Sequence, residues 1–243
     1  VSLFSSRSCV DYQAVRVKYV IDGDTIILSN NQKVRYIGID TPETMVKTAT
    51  GFEYSPQPFA EAAKKINRNL VEGKVVRLEF DLVKKDKYNR LLAYCFVGDK
   101  FVNVEMLKNG LAMLYTNVPN IKYVDLLVRA QEEARESGLN LWKPGSVIPV
   151  FQAGDHLGEL ATVEGRVLKV KRTNSAVYLN FGKDYRIDFS AVIFQDNFRL
   201  FNEQKISLEN YYKGKTVRVS GLIKEYQGPE IIVRHPSQIE LVE

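Results

Sequence analysis

The chain has 243 residues, 45% of them hydrophobic and 26% charged, with a formal net charge of +5. That length exceeds one typical domain, so two domains are the first expectation, and the apolar fraction suffices for two small cores. The positive excess permits an anionic partner without demanding one, no apolar run is long enough to cross a bilayer, and two Cys with two His argue against a disulfide framework or a zinc site.

In chain order, Val15–Val20 alternates at period two and reads as a strand. Asp22-Gly23 is a turn or bulge, Thr25–Leu28 a second strand, Asn30-Asn31 a turn, and Lys33–Ile39 a third strand. The stretch from Thr44 to Pro58 carries a glycine and two prolines with little periodicity and reads as a loop. Phe59, Ala62, Ala63, Ile66 and Leu70 recur at helical spacing, with Gly73 as the stop. Strands are predicted at Val75–Phe80 and Leu91–Phe96, which places Cys95 in a buried strand; Cys9 lies near the terminus. Helices follow at Val102–Asn109 and Ile121–Ser137, the second with Tyr123, Leu127, Ala130 and Ala134 on one stripe.

Residues 1–11 read as a tail, 12–142 as a first domain, 143–160 as a linker and 161–243 as a second domain. The second domain shows strand-like runs near 161–171, 175–181 and 185–194, a short helix near 205–212, and strands near 215–226 and 230–242, with His235-Pro236 as a turn. Five strands with one helix after the third is the order of an OB-type barrel. The fold class expected is mainly β or α+β: a five-stranded OB-type barrel with three helices, then a second OB-like barrel.

Asp22, Asp24, Asp40 and Glu43, with Arg35 and Arg90, sit at strand ends and turns. Carboxylate oxygens suit a hard cation, and guanidinium forks suit phosphate. Each motif alone reads as an ordinary turn; together they point to phosphodiester chemistry. Strict alternation sets Arg35 and Asp40 on opposite faces of one strand. If both serve one site, either the strand departs from ideal there, through a bend or bulge that Gly38 could admit, or Arg35 reaches around the barrel rim.

Val20-Ile21-Asp22-Gly23-Asp24-Thr25, Val34 through Glu43, Asp86 through Tyr94, Asn109-Gly110-Leu111-Ala112 and Gly138-Leu139-Asn140-Leu141-Trp142 together resemble the staphylococcal nuclease (thermonuclease) family over residues 12–142. The resemblance implies a Ca²⁺-dependent phosphodiesterase that cuts DNA and RNA, prefers single strands and leaves 3′-phosphates. It implies that Asp24, Asp40 and the Thr41 carbonyl bind Ca²⁺, with Asp22 in support. It implies that Glu43 positions or deprotonates the attacking water, that Arg35 and Arg90 grip the phosphate, and that Lys87 and Tyr88 contact a terminal phosphate. Met113–Val118 leaves only Tyr115 to stack on a base, and the 44–58 stretch departs from the family pattern. The family and the start at Val1 favour an extracytoplasmic compartment, although trimming produces the same start; the sequence leaves localisation open. In the second domain, Lys169, Lys171, Arg172 and the out-of-phase Tyr178 form a candidate face for single strands. The competing reading is a binding module on a nuclease-like scaffold. Another is a tail that localises the enzyme by binding a protein or cell-surface partner.

Overall fold

The computed structural model describes residues 12–242; Cys9 lies outside them. The strands of the first half are β1 (Val15–Val20), β2 (Thr25–Leu28), β3 (Lys33–Tyr36), β4 (Gly38–Asp40), β5 (Met45–Thr48), β6 (Gly51–Tyr54), β7 (Val75–Glu79), β8 (Leu91–Val97), β9 (Lys100–Phe101) and β10 (Met113–Tyr115). The helices are α1 (Ala60–Val71), α2 (Val102–Lys108) and α3 (Val124–Glu136). β1, β2 and β3 form an antiparallel meander; β3 then pairs in parallel with β8, β8 with β7, and β7 closes back on β1. The ring is a five-stranded barrel whose inward side chains (Val17, Ile26, Leu28, Val34, Tyr36, Leu78, Ala93) are buried against α1 and α2.

The predicted third strand breaks in two. Gly38 has φ 82°, a left-handed value that glycine tolerates, and a Cβ there would stand 2.3 Å from Leu127 of α3. Buried Asn103 of α2 holds the break: its amide donates to the Ile37 carbonyl at 2.8 Å and its oxygen accepts from the Cys95 N–H at 3.0 Å. β4 thereby leaves the barrel and pairs with β10. Of the two ways the parity of Arg35 and Asp40 left open, the structure takes the bend at Gly38.

Two expectations need correction here. The 44–58 stretch is not a plain loop: β5 and β6 form a hairpin. Its residues are almost all exposed, Phe52 and Tyr54 included, so no buried face imposed an apolar alternation on the sequence. The face of α1 is also turned: Ala60, Ala63, Asn67 and Val71 are fully buried, while Phe59, Ala62, Ile66 and Leu70 flank them. Small residues bring this helix close, and Asn67 is buried because it bonds across the barrel.

The second half contains β11 (Val147–Pro149), β12 (Leu160–Arg166), β13 (Lys169–Arg172), β14 (Ala176–Asn180), β15 (Ser190–Phe194), α4 (Phe198–Glu203), β16 (Thr216–Glu225), β17 (Pro229–Ile232) and β18 (Ile239–Leu241). β13, β14 and β15 form a meander, β15 pairs in parallel with β17, β17 with β16, and β16 with β12, which β13 continues. This is the same strand order as the first barrel, repeated without visible sequence repetition. β11 runs parallel to β12, so part of the 143–160 stretch is packed on this sheet. The helix expected near 205–212 is instead α4, which ends where Lys205 adopts φ 58°; buried Leu208 and Tyr212 mimic a helical stripe from turns.

Met113, Ala134, Leu141, Trp142 and Leu160 form a small apolar cluster, with Leu222 against it, that joins the two barrels. Arg135 adds a bond to the Ser237 carbonyl at 3.1 Å and an ion pair with Glu240 at 3.6 Å.

His235 anchors the turn after β17. It is 5% exposed, and its Nδ1 accepts from the Ser237 N–H at 3.2 Å. Burial lowers its pKa to about 4, against a weaker opposing pull from Asp125. The unfolded chain binds this proton below about pH 6.5 and the folded one only below about 4, so stability falls as pH drops through that window. From pH 7 to pH 5 this residue should remove about 2 kcal/mol. Urea unfolding of wild type and His235→Asn at both pH values reads it: the variant should lose distinctly less stability over the interval, and equal losses would reject a neutral buried His235.

Candidate active site

The site lies where the β1–β2 turn, β3, the end of β4 and the start of β8 meet. In the turn, the Asp24 N–H donates to Asp22 Oδ1 at 3.1 Å, which closes a local Asp-Gly-Asp loop. Asn67 donates to the Asp22 carbonyl at 2.9 Å and accepts from the Tyr36 hydroxyl at 3.0 Å, so α1 and β3 hold the turn from below. Asp24 is 1% exposed. Its Oδ2 accepts from the Thr41 N–H at 2.9 Å and the Thr41 hydroxyl at 3.0 Å, and its Oδ1 accepts from Thr25 at 2.9 Å.

Arg35 projects from β3 and forms ion pairs with both Asp24 and Asp40. One guanidinium thus brings together carboxylates from two separate motifs. Burial opposes its charge, but the carboxylates of Asp24, Asp40, Asp22 and Glu43 outweigh that penalty and raise its pKa. Burial pushes Asp40 up to about 6, with Arg35 and more distant Lys224 pulling the other way. Burial, then Asp24 and Glu43, raise Asp22. Glu43 stands at the exposed rim; crowding by protein and then Asp24 push it up to about 7, and water reaching it tempers that push. Four acids against two nearby arginines leave a surplus of negative charge.

Arg90 opens β8 and pulls the Glu43 pKa down. Its Nε donates to Asp86 Oδ2 at 2.6 Å, while Asp86 Oδ1 accepts the Arg90 N–H at 2.9 Å, so Asp86 fixes the arginine's direction. Tyr88 is 69% exposed, with the Arg90 guanidinium 5.6 Å and the Lys87 ammonium 5.1 Å from its ring centre. Tyr115 stands beside the site on β10, but the Arg234 guanidinium of the second barrel lies 4.7 Å over its ring. A cleft of about 20 Å³ there is lined by Asp40, Tyr115, Lys224 and Arg234.

The structure therefore gathers Asp22, Asp24, Arg35, Asp40, Thr41, Glu43 and Arg90, with Lys87 and Tyr88 on an outer edge. Lys171 and Tyr178 face each other on the second barrel. Lys169 is exposed on the same strand, whereas Arg172 points elsewhere, paired with Glu209 and stacked at 4.8 Å over Phe198. Residues not singled out from sequence include Asn67, Asp86, Lys224, Arg234 and Gln57, which bonds the Glu43 N–H at 2.9 Å and reaches the Gly158 carbonyl. A signal existed for two of them: Asn67 is a polar residue on an apolar helix stripe, and Asp86 sits four residues before Arg90.

Among the described residues, no group of three or more His, Cys, Asp or Glu side chains forms a ready cation cage. The donor set nevertheless fits a hard divalent cation. The carboxylates of Asp24 and Asp40 reach one common guanidinium, every donor is oxygen, and the acid surplus needs more positive charge than Arg35 supplies.

Gly23 packs so tightly that a Cβ would stand 2.6–2.8 Å from the Thr41 side chain. Gly23→Ala must displace Thr41 and with it two bonds to Asp24. The rate of the reaction catalysed at this site should fall by roughly tenfold or more, with a melting temperature lowered by only a few degrees. Unchanged rates would show that the Thr41–Asp24 contact does not hold the site.

A model of the family described as staphylococcal nuclease homologue matches residues 33–144. The thermonuclease of Staphylococcus intermedius is 45% identical over 141 residues, covering 57% of this chain and 81% of the relative. That of Staphylococcus hyicus is 39% identical over 133 residues, 54% of this chain and 76% of the relative. The endonuclease YncB of Bacillus subtilis is 40% identical over 139 residues, 55% of this chain and 64% of the relative. With several separated motifs, the barrel and these coverages in agreement, the chain belongs to the staphylococcal nuclease family.

Proposed function

We infer that the chain is a Ca²⁺-dependent nuclease that hydrolyses phosphodiester bonds of DNA or RNA, preferring single strands and leaving 3′-phosphate ends. The observation that carries this reading is the convergence of Asp24, Arg35 and Asp40, with Glu43 and Arg90 alongside. Asp24, Asp40 and the Thr41 carbonyl would hold the cation, with Asp22 behind them. When bound, Ca²⁺ supplies fixed positive charge against the charge that builds on the phosphoryl oxygens.

The chain's own residues do the rest. Glu43, at the rim where water enters, orients the attacking water and takes its proton. Arg35 and Arg90 offer forked donors to the nonbridging oxygens as the pentavalent transition state forms. The P–O5′ bond breaks as the water oxygen bonds to phosphorus, which leaves phosphate on the 3′ side. Arg90 donates a hydrogen bond to the departing oxygen, which takes its proton from solvent because a guanidinium does not give one up. Asp86 keeps Arg90 aimed. Lys87 and Tyr88 would meet a neighbouring phosphate.

Residues 12–142 would form the nuclease domain, joined through 143–160 to a second domain, 161–243, that holds the substrate. The contact of Arg234 with Tyr115 and the position of Lys224 near Asp40 support this, because both bring cations to the rim.

EDTA should abolish cleavage of a labelled single-stranded oligonucleotide and Ca²⁺ should restore it; activity persisting in chelator would remove the metal role from Asp24 and Asp40. Glu43→Gln should lower turnover by roughly 10²–10⁴ while nucleotide binding is kept. Normal turnover in that variant would reject Glu43 as the residue that handles the water.

A further inference from the structure

The second barrel carries a cavity of about 250 Å³ lined by Lys171, Tyr178, Tyr185, Tyr226, Asn180 and Glu230, among others. Nothing in the catalytic scheme uses it. Three tyrosines from three different segments border it, and two of them serve no core: Tyr185 is 52% exposed and Tyr226 is 71% exposed. Their loops are packed against each other. Gly228, in the turn closed by the Tyr226 N–H to the Gly228 carbonyl at 3.0 Å, lies so near that a Cβ would stand 3.0 Å from the Tyr185 carbonyl. Asp184 and Arg186 pair at 2.7 Å on either side of Tyr185. The rings are therefore presented by braced turns.

We propose that this cavity is a subsite for one unpaired base of the strand being cut. The inference rests on the nuclease reading of the first barrel and deepens the substrate-holding role of the second. The chemistry of the lining matches a nucleotide. Tyrosine rings offer faces on which any base stacks. Asn180, bonded to Ser190 at 3.2 Å, and Glu230 supply donor and acceptor groups for a base edge. The Lys171 ammonium, 5.8 Å from the Tyr185 ring centre, is placed for the attached phosphate. The volume lies below the roughly 300–1,000 Å³ of pockets that enclose drug-sized ligands, which suits one heterocycle rather than several.

Strands β16 and β17 link the cavity to the cleft beside Asp40. Glu230 is the register partner of Lys224 across β16 and β17, and Lys224 lines the cleft that contains Asp40. Tyr226 follows Lys224 by two residues, about 7 Å along an extended chain. A strand leaving the scissile phosphate would thus pass the Lys224 ammonium before its base meets the tyrosines.

The test uses the full chain with Tyr185→Ala/Tyr226→Ala, and separately Lys171→Ala. Binding of a fluorescent 15-mer of single-stranded DNA is read by anisotropy in EDTA, and cleavage of a dinucleotide is read in Ca²⁺. The double variant should bind the 15-mer roughly tenfold more weakly with an unchanged salt slope. Lys171→Ala should weaken binding and lower the salt slope by about one. Dinucleotide cleavage by the double variant should match wild type. Equal 15-mer affinity in the double variant would overturn the base subsite, and so would an equal loss on the dinucleotide, since the rings would then act at the catalytic centre. Failure of the wild type to cut the 15-mer in Ca²⁺ would instead sink the nuclease reading beneath it.

Discussion

The acids at the rim of the first barrel are arranged around one largely buried cation, the guanidinium of Arg35, placed between the carboxylates of Asp24 and Asp40. Charges removed from water are costly unless paired, and removing one partner of such a group typically costs about 3–5 kcal/mol. The triad therefore couples three stretches of chain that local structure alone would leave independent: the β1–β2 turn, the barrel strand β3 and the escaping strand β4. The pairing requires the left-handed backbone at Gly38, and Leu127 of α3 packs so close there that no side chain could replace the glycine's hydrogen.

The same arrangement leaves the site with unspent negative charge. Two carboxylates share one guanidinium while Asp22 and Glu43 stand nearby, and burial raises the pKa values of Asp22 and Asp40. A divalent cation on Asp24 and Asp40 would relieve that repulsion and compete with Arg35 for the same oxygens, which would release the guanidinium fork for a phosphate. On the proposed reading, acid cluster and arginine would act as one electrostatic unit that answers to metal and substrate together.

The second barrel is part of this unit. The apolar cluster around Trp142 and Leu160 and the Arg135 contacts hold it against the active-site end of the first. In that position Arg234 covers Tyr115, and Lys224 bears on Asp40. A tyrosine read from sequence as a lone base platform thus meets an arginine from the other domain. The same strand order carries acids and arginines at the rim of one barrel and tyrosines around a cavity on the other.

The sequence by itself determined most of the barrel strands, because inward side chains at period two are written directly into segments such as Val15–Val20 and Leu91–Val97. It also singled out the acids and arginines that converge, because they sit in short, ordered motifs, and parity showed that either the strand departs from ideal near Gly38 or Arg35 reaches around the rim. It missed the β5–β6 hairpin, whose exposure leaves no pattern, and misplaced α4, because turns around Leu208 and Tyr212 imitate helical spacing. Only the tertiary structure decided that Arg35 pairs with both Asp24 and Asp40, that Asn67 braces the Asp22 turn, and that Lys224 and Arg234 line a cleft with Asp40. Those arrangements depend on which surfaces of distant segments come within a few ångströms of each other. Local periodicity carries no record of that.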